Sequence, residues 1–299
     1  MDLLSLRCFR VVARHEHISR AAEELRVAQP SVSRTIARLE AEVGVPLFDR
    51  QGRTIRLNRY GRAFLRRVER VLDELDDACR EMTDAAGLDQ GSVAVAAETL
   101  LPLSGLLAGF RGAHPGVTVR CFQATPEVML RQLRDREVDF CFASQPLPGL
   151  ALGAVRLLHE EVLLVVPDGH RLAGRERVSP ADLADEPFIT TRPGHWQRAL
   201  LERLFEPTGR SPVISCEGDE PGATHHLVEA GLGIGLMPSL ARADLSGAAL
   251  SWLRVDAPGC TRTLSLVRRE DGYLSTAAAR FRDLAVAHFR QPGRAGGPR

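Results

Sequence analysis

The chain is 299 residues long, enough for two or three domains with separate cores, and its 44% hydrophobic and 26% charged residues are those of a globular protein. No stretch of about 18 apolar residues occurs, which excludes a membrane-spanning helix, and Asp2, Arg7 and Arg10 break the opening segment, which excludes a signal-peptide core. The net charge of +1 conceals an asymmetry, because residues 1–62 hold 12 Arg against 7 Asp and Glu; a basic end on a mildly acidic body suits a polyanionic partner at that end only.

Leu3, Leu6, Phe9, Val12 and Ala13 recur at helical spacing and predict a first helix. Ser19 has the chemistry of an N-cap for a second, with Ala21, Ala22 and Leu25 inward. Val27-Ala28-Gln29 makes a turn, and Pro30 sits at the first position of a third helix, where its missing N–H loses no bond. There Val32, Ile36 and Leu39 share one side; Pro30, Arg34, Ala37 and Arg38 face away, flanked by Ser31 and Ser33, and Gly44 ends the helix. Leu47–Arg50, a Gln51-Gly52 turn and Arg53–Leu57 read as a small hairpin. Asn58 caps a long helix to about Ala86. Its Phe64, Val68, Val71, Leu75, Ala78 and Met82 follow the 4-3 spacing of a dimerising coiled coil, a seam exposed except to a partner helix; packing on its own chain is the competing reading.

Gly87–Gly91 reads as a hinge, after which short apolar strands alternate with helices. Strands are expected at Ser92–Ala97, Val117–Gln123, Val138–Ser144, Glu161–Val166, Phe188–Thr190, Val213–Cys216, Gly233–Met237 and Thr263–Arg268. Helices fit Pro102–His114, Pro126–Arg136, Ser179–Leu183, His195–Phe205, Gly222–Ala230 and Ser275–Phe289. This alternation implies an α/β body with mainly parallel sheets, and the Gly- and Pro-rich tail Gln291–Arg299 reads as disordered.

A DNA-reading helix-turn-helix needs a small residue where its helices cross, apolar inward positions and a polar outer face on its second helix. Ala22, Val32 and the set Gln29, Ser31, Ser33, Arg34 and Arg38 supply all three. The segment SRAAEELRVAQPSVSRTIARLEAEVGVPLFDR resembles the signature of the LysR-type transcriptional regulators through Ala21-Ala22, Ala28–Ser31, Ser33, Leu39-Glu40, Gly44 and Leu47–Arg50. The likeness continues through Arg56-Leu57-Asn58, His114-Pro115-Gly116, Pro167–Ala173 and Gly231–Pro238; Asn58–Gly61 departs from the family's usual Thr-x-Ala-Gly, and the segment before Leu101-Pro102 is short by a few residues.

The resemblance implies a multidomain α+β and α/β protein. A winged helix-turn-helix spans residues 1–58 and a dimerising linker helix 59–87. A two-lobed, periplasmic-binding-protein-like effector domain spans 92–291, with one lobe at 92–160 and 264–291 and the other at 161–263. It further implies a homodimer assembling into a tetramer on promoter DNA, contact with RNA polymerase, a small-molecule co-inducer and no other cofactor. The helix Pro30–Glu42 would enter the major groove. Gln29, Pro30, Ser31, Ser33, Arg34 and Arg38 would be its contact face, with Arg53 or Arg56 of the wing on phosphate or minor groove.

In a two-lobed body, ligands sit at strand C-termini and helix N-termini. That points to Thr99, Thr125, Ser144 and Gln145 in the first lobe, and to Thr190, Thr191, Arg192 and His195 in the second, with Glu217–Glu220 nearby. Hydroxyls at helix starts are N-caps before they are ligands. Arg192 and His195 suit an acidic metabolite, whereas Glu98, Glu217, Asp219 and Glu220 suit a cationic one; the sequence leaves both open, and a carboxylate is taken as the first to test.

Gly231–Gly235 leaves a helix and enters a strand, the reverse of a phosphate loop, so a packing role is expected. His225 and His226 are adjacent and diverge by about 100° on a helix; His15 and His17 lack a third ligand. No metal site is expected. The six cysteines show no metal-ligand spacing and read as reduced thiols of a cytoplasmic protein. An enzyme or solute-binding protein on the same α/β body, or a non-specific DNA-compacting protein, are the alternatives. No catalytic motif supports the first, and the last predicts a small specificity ratio over random DNA.

Overall fold

A computed structural model describes residues 1–51, 54–85, 91–148, 152–218, 223–244 and 249–290, and the chain divides into two compact units, Met1–Gly87 and Leu88–Arg299. Arg53, the hinge residues 87–90, Asp219, Glu220 and the tail 291–299 lie outside the described residues.

In the first unit α1 (Leu3–His15), α2 (Ile18–Leu25) and α3 (Gln29–Val43) precede a hairpin of β1 (Phe48–Gln51) and β2 (Thr54–Leu57), then the long α4 (Arg59–Ala85). Phe9 and Val12 are fully buried at the centre, and the Phe9 ring lies 5.5 Å from Phe48 and 5.3 Å from Phe64. Helix α2 starts two residues earlier than a Ser19 cap would set it. His17 is the N-cap, its Nδ1 accepting the amide of Arg20 at 3.4 Å, while Ser19 Oγ donates to Gln29 Oε1 at 3.3 Å. Likewise Pro30 is the second residue of α3, not the first.

Glu40 Oε1 accepts the amides of Leu47 and Phe48, at 2.7 and 3.1 Å, and Glu16 Oε1 accepts that of Leu57 at 2.9 Å. These carboxylates fasten the hairpin to the helices. Asn58 Oδ1 accepts the amides of Tyr60 and Gly61, both at 2.9 Å, which is the expected cap. Gly61 is required by close approach, since a Cβ there would stand 2.1 Å from the Leu47 carbonyl oxygen.

The apolar seam of α4 divides. Val68 and the off-seam Leu72 are buried in the core of the first unit and Phe64 is half-buried against it, whereas Val71, Leu75 and Met82 are 48%, 41% and 62% exposed. The proximal half of the seam thus packs on its own chain, because α1 crosses it there; the distal half is apolar surface.

The second unit begins with β3 (Ser92–Ala97), a 3-10 turn Leu101–Leu103, α5 (Ser104–Ala113), β4 (Thr118–Gln123), α6 (Pro126–Arg134) and β5 (Phe140–Ala143). Strand β3 pairs in parallel with β4 and β5. Its alternate residues serve two cores: Val93, Val95 and Ala97 meet Leu106 and Phe110 of α5, while Ala94 and Ala96 meet Met129 and Leu133 of α6. Strand β6 (Leu152–Pro167) is far longer than the expected Glu161–Val166, because its polar first half pairs antiparallel with β12 (Thr261–Arg269). The final helix α10 (Thr276–Arg290) buries Phe281 in the first of these cores.

A second sheet uses the other half of β6, which pairs antiparallel with β10 (Ile234–Pro238) and with β11 (Leu250–Val255), a strand unforeseen in the sequence. Strand β8 (Pro187–Thr191) lies parallel between β10 and β9 (Val213–Gly218), and a two-residue β7 (Arg177–Val178) flanks β11. Helix α7 (Trp196–Phe205) covers one face through Leu200, Leu201 and Leu204, and α8 (Thr224–Glu229) the other through Val228. A short α9 (Ala241–Asp244) follows β10, and Ser179–Leu183 is a 3-10 turn with a reciprocal Ser179–Asp182 cap. The body is therefore mixed, parallel at its crossovers and antiparallel along β6 and β12. The Gly231–Gly235 run packs, as expected: a Cβ on Gly233 would meet the Pro187 carbonyl oxygen at 2.5 Å.

Candidate functional site

Helix α3 buries Val32, Ile36 and Leu39 and turns its other side outward. Gln29, Pro30 and Arg34 are exposed, and Ser31 and Ser33 half-buried. Arg34 Nε donates to its own helix at Pro30 O, at 3.3 Å, and among the described residues it pairs with no carboxylate. Arg38 differs: its Nη2 donates to Asp2 Oδ2 at 3.2 Å and to Ser5 Oγ at 3.1 Å, which ties α3 to the start of α1. Arg56 is exposed on β2, opposite Asp49.

The second constellation lies in the other unit, where the C-terminal ends of β3 and β5 meet the N-terminus of α7. Glu98 follows β3 and is only 2% exposed. Its Oε2 accepts the amide of Ser144 at 3.3 Å and its Oε1 that of Trp196, the first residue of α7, at 3.4 Å. Burial pushes its carboxyl above the ordinary range, opposed by those two amides and by His195 and Arg262. Beside it Gln145 Nε2 donates to Gly194 O at 2.7 Å, a further link between the sheets.

The guanidinium of Arg262 lies over the Trp196 ring, 5.2 Å from its centroid. Arg262 is 4% exposed, and it faces Glu160, 8% exposed, across the β12–β6 ladder. The Arg262 Nε to Glu160 Oε1 distance is 3.6 Å, an ion pair without a hydrogen bond. Oε2 of Glu160 accepts the amide of Leu240 at 2.8 Å and the Ser239 hydroxyl at 3.2 Å. Arg262 Nε, Glu160 Oε1, Thr191 Oγ1 and Gln197 Oε1 are buried side-chain atoms with no hydrogen-bond partner. Buried polar groups are almost always paired, so these orphaned atoms single out the surroundings of the α7 start as a candidate site.

Of the residues expected from the sequence, Ser144, Gln145 and His195 join this constellation, Ser144 through its backbone. Thr125, after β4, is the N-cap of α6, accepting the amide of Val128, and Thr99, after β3, accepts the amide of Leu101 through Oγ1. Thr190 is buried on β8, next to the orphaned Thr191. Arg192 is exposed. Glu217 stands apart, paired with Arg198 Nη1 at 2.8 Å. Trp196, Gln197, Glu160 and Arg262 were not anticipated. Arg262 shares the inward row of Leu264 and Leu266, and Glu160 that of Leu158 and Val162, so a charge in an apolar row was the available signal.

The rings of His225 and His226 do not diverge as expected but lie close, centroids 3.8 Å apart and tilted by 41°. No group of three metal-ligating side chains occurs among the described residues. Nor is any described helix long and apolar enough to cross a membrane. Cys141 and Cys260 are buried, which raises both thiols, that of Cys260 to about 11.

A helix-turn-helix with a polar outer face, followed by a separate α/β body, is the architecture of a DNA-binding transcriptional regulator carrying an effector-binding domain. Residues 3–62 match the bacterial regulatory helix-turn-helix protein, lysR family, and residues 86–290 match the LysR substrate binding domain. The chain belongs to the LysR family. It is 34% identical to the uncharacterized HTH-type transcriptional regulator YybE of Bacillus subtilis (strain 168), over 97% of this chain and 100% of that protein. Among solved structures, a full-length variant of OxyR from Pseudomonas aeruginosa shares the fold at a TM-score of 0.66 and 22% identity, covering 99% of this chain and 96% of that one. Full-length CbnR in complex with its target DNA does so at 0.54 and 24%, covering 97% and 100%.

Proposed function

We propose that α3 reads a promoter sequence in the major groove and that the crevice at the start of α7 holds the small-molecule effector. The outer side of α3 carries the first part: Gln29, Pro30, Ser31, Ser33 and Arg34 face outward from a fully apolar inner row. Arg34 supplies a base or phosphate contact. Arg38 holds α3 in place through Asp2 and reaches DNA, if at all, only on leaving it. Arg56, and Arg53 beside it in sequence, serve the phosphate backbone.

Two copies join through the exposed seam Val71, Leu75, Ala78 and Met82 of α4, and two such dimers form the DNA-bound tetramer. The protein works in the cytoplasm, where it meets promoter DNA and RNA polymerase. Selection of bound duplexes from a random pool by the full-length protein tests the DNA reading. An enriched inverted repeat supports it. Recovery of unenriched DNA at fixed salt would instead identify the compacting alternative.

A further inference from the structure

The same crevice carries information about what fits in it. The amide of Trp196, the first residue of α7, and the Ser144 amide are donors that an anionic ligand would seek. Both are already bonded to the chain's own carboxylate, Glu98. The buried guanidinium, Arg262, has its own carboxylate in Glu160, in register across the strands. Arg192 lies exposed and Glu217 is paired with Arg198. Beside His195, the buried groups are two carboxyl side chains, Glu98 and Glu160, and one guanidinium, Arg262.

Glu98 receives two long bonds, 3.3 and 3.4 Å, although a carboxylate has about four acceptor sites. Beside it Arg262 Nε is a buried donor with no acceptor, on a guanidinium lying over the very residue whose amide holds Glu98. An ammonium group supplies donors to the open acceptor sites of Glu98. An oxygen on the same molecule supplies an acceptor to Arg262.

We infer that the effector is a small organic ammonium compound bearing an oxygen acceptor, as amino acids and amino alcohols do, with its amine on Glu98. This rests on the crevice being the effector site. It also reverses the carboxylate preference drawn from Arg192 and His195 in the sequence.

The test is a saturable thermal shift of the full-length protein, followed by calorimetric titration, at fixed ionic strength. The probes are the common L-amino acids, ethanolamine and putrescine, set against acetate, succinate and benzoate. At least one ammonium compound is expected to bind, and the simple carboxylates are not. Glu98→Gln keeps a carbonyl to accept one of the two amides and removes the charge; with its unliganded folding verified by circular dichroism, it is expected to weaken amine binding at least tenfold. Glu217→Gln is expected to leave binding unchanged.

Binding by carboxylates alone, tightened by Glu98→Gln, overturns the amine assignment while leaving the crevice reading intact, provided Gln145→Trp abolishes it. Amine binding that survives both Glu98→Gln and Gln145→Trp overturns the crevice reading itself. Absence of saturable binding by every probe also removes the inference.

Discussion

Oε1 of Glu98, at the end of β3, accepts the amide of Trp196, the first residue of α7, at 3.4 Å. A side chain from one sheet thus caps a helix packed on the other, and does so as a desolvated carboxylate. Burial holds its pKa above the ordinary 4.5. Between the unfolded and folded values the folded chain binds more protons, so its contribution to stability falls as pH rises through that interval and stays lower above it. The stability of Glu98→Gln relative to wild type is therefore expected to rise between about pH 4 and about pH 8. Urea unfolding across a pH series measures this, and a difference independent of pH would contradict it.

Arg34 and Arg38 lie one turn apart on α3 but are expected to behave differently. Arg34→Ala loses about 1–3 kcal/mol at the selected operator if it contacts a base. Arg38→Ala, which breaks an exposed tie to Asp2 and Ser5, is expected to leave the preference for operator over random duplex unchanged. Salt-controlled shift assays on operator and random duplex separate the two; unchanged operator binding by Arg34→Ala sinks the base-contact assignment.

Gly61 and Gly109 form a matched pair. A methyl at Gly61 collides with the Leu47 carbonyl oxygen at 2.1 Å, whereas at Gly109, inside α5, it meets nothing within 4 Å. Gly61→Ala is expected to destabilise the first unit by about 1–3 kcal/mol or more, and Gly109→Ala to stabilise by about 0.5–1 kcal/mol. Denaturant midpoints decide it, and equal effects would show that the close approach relaxes freely.

The divided seam of α4 predicts a division of phenotypes. Leu75→Glu, at an exposed position, is expected to lower the association state seen by sedimentation while leaving the unfolding transition of the first unit in place. Leu72→Ala, in the buried row, is expected to destabilise that unit by about 2–5 kcal/mol. A Leu75→Glu protein that sediments like wild type rules out this face as the dimer contact.

The first unit was readable in the sequence almost residue by residue, because its information is local: Pro30 near a helix start, Gly44 at a helix end, Asn58 as a cap. Even the signature residue Glu40 has a local task, holding the amides of Leu47 and Phe48. The crevice was less legible. Its strand-end positions followed from general α/β geometry and recovered Ser144, Gln145 and His195. Arg262 and Glu160 lay hidden because each becomes meaningful only through register with the other, across about a hundred residues of chain. The polar residues Arg156, His159 and Glu160 also disguised the first half of β6 as a loop, since one side of that strand is exposed.

Strand β6 runs unbroken for 16 residues and belongs to both sheets. A body built this way cannot open like two shells on a slack cord, because any rotation of one sheet against the other must wind the shared strand. The buried Glu160–Arg262 pair stands where β6 passes from β12 to β10, so a turn of one sheet against the other would strain it.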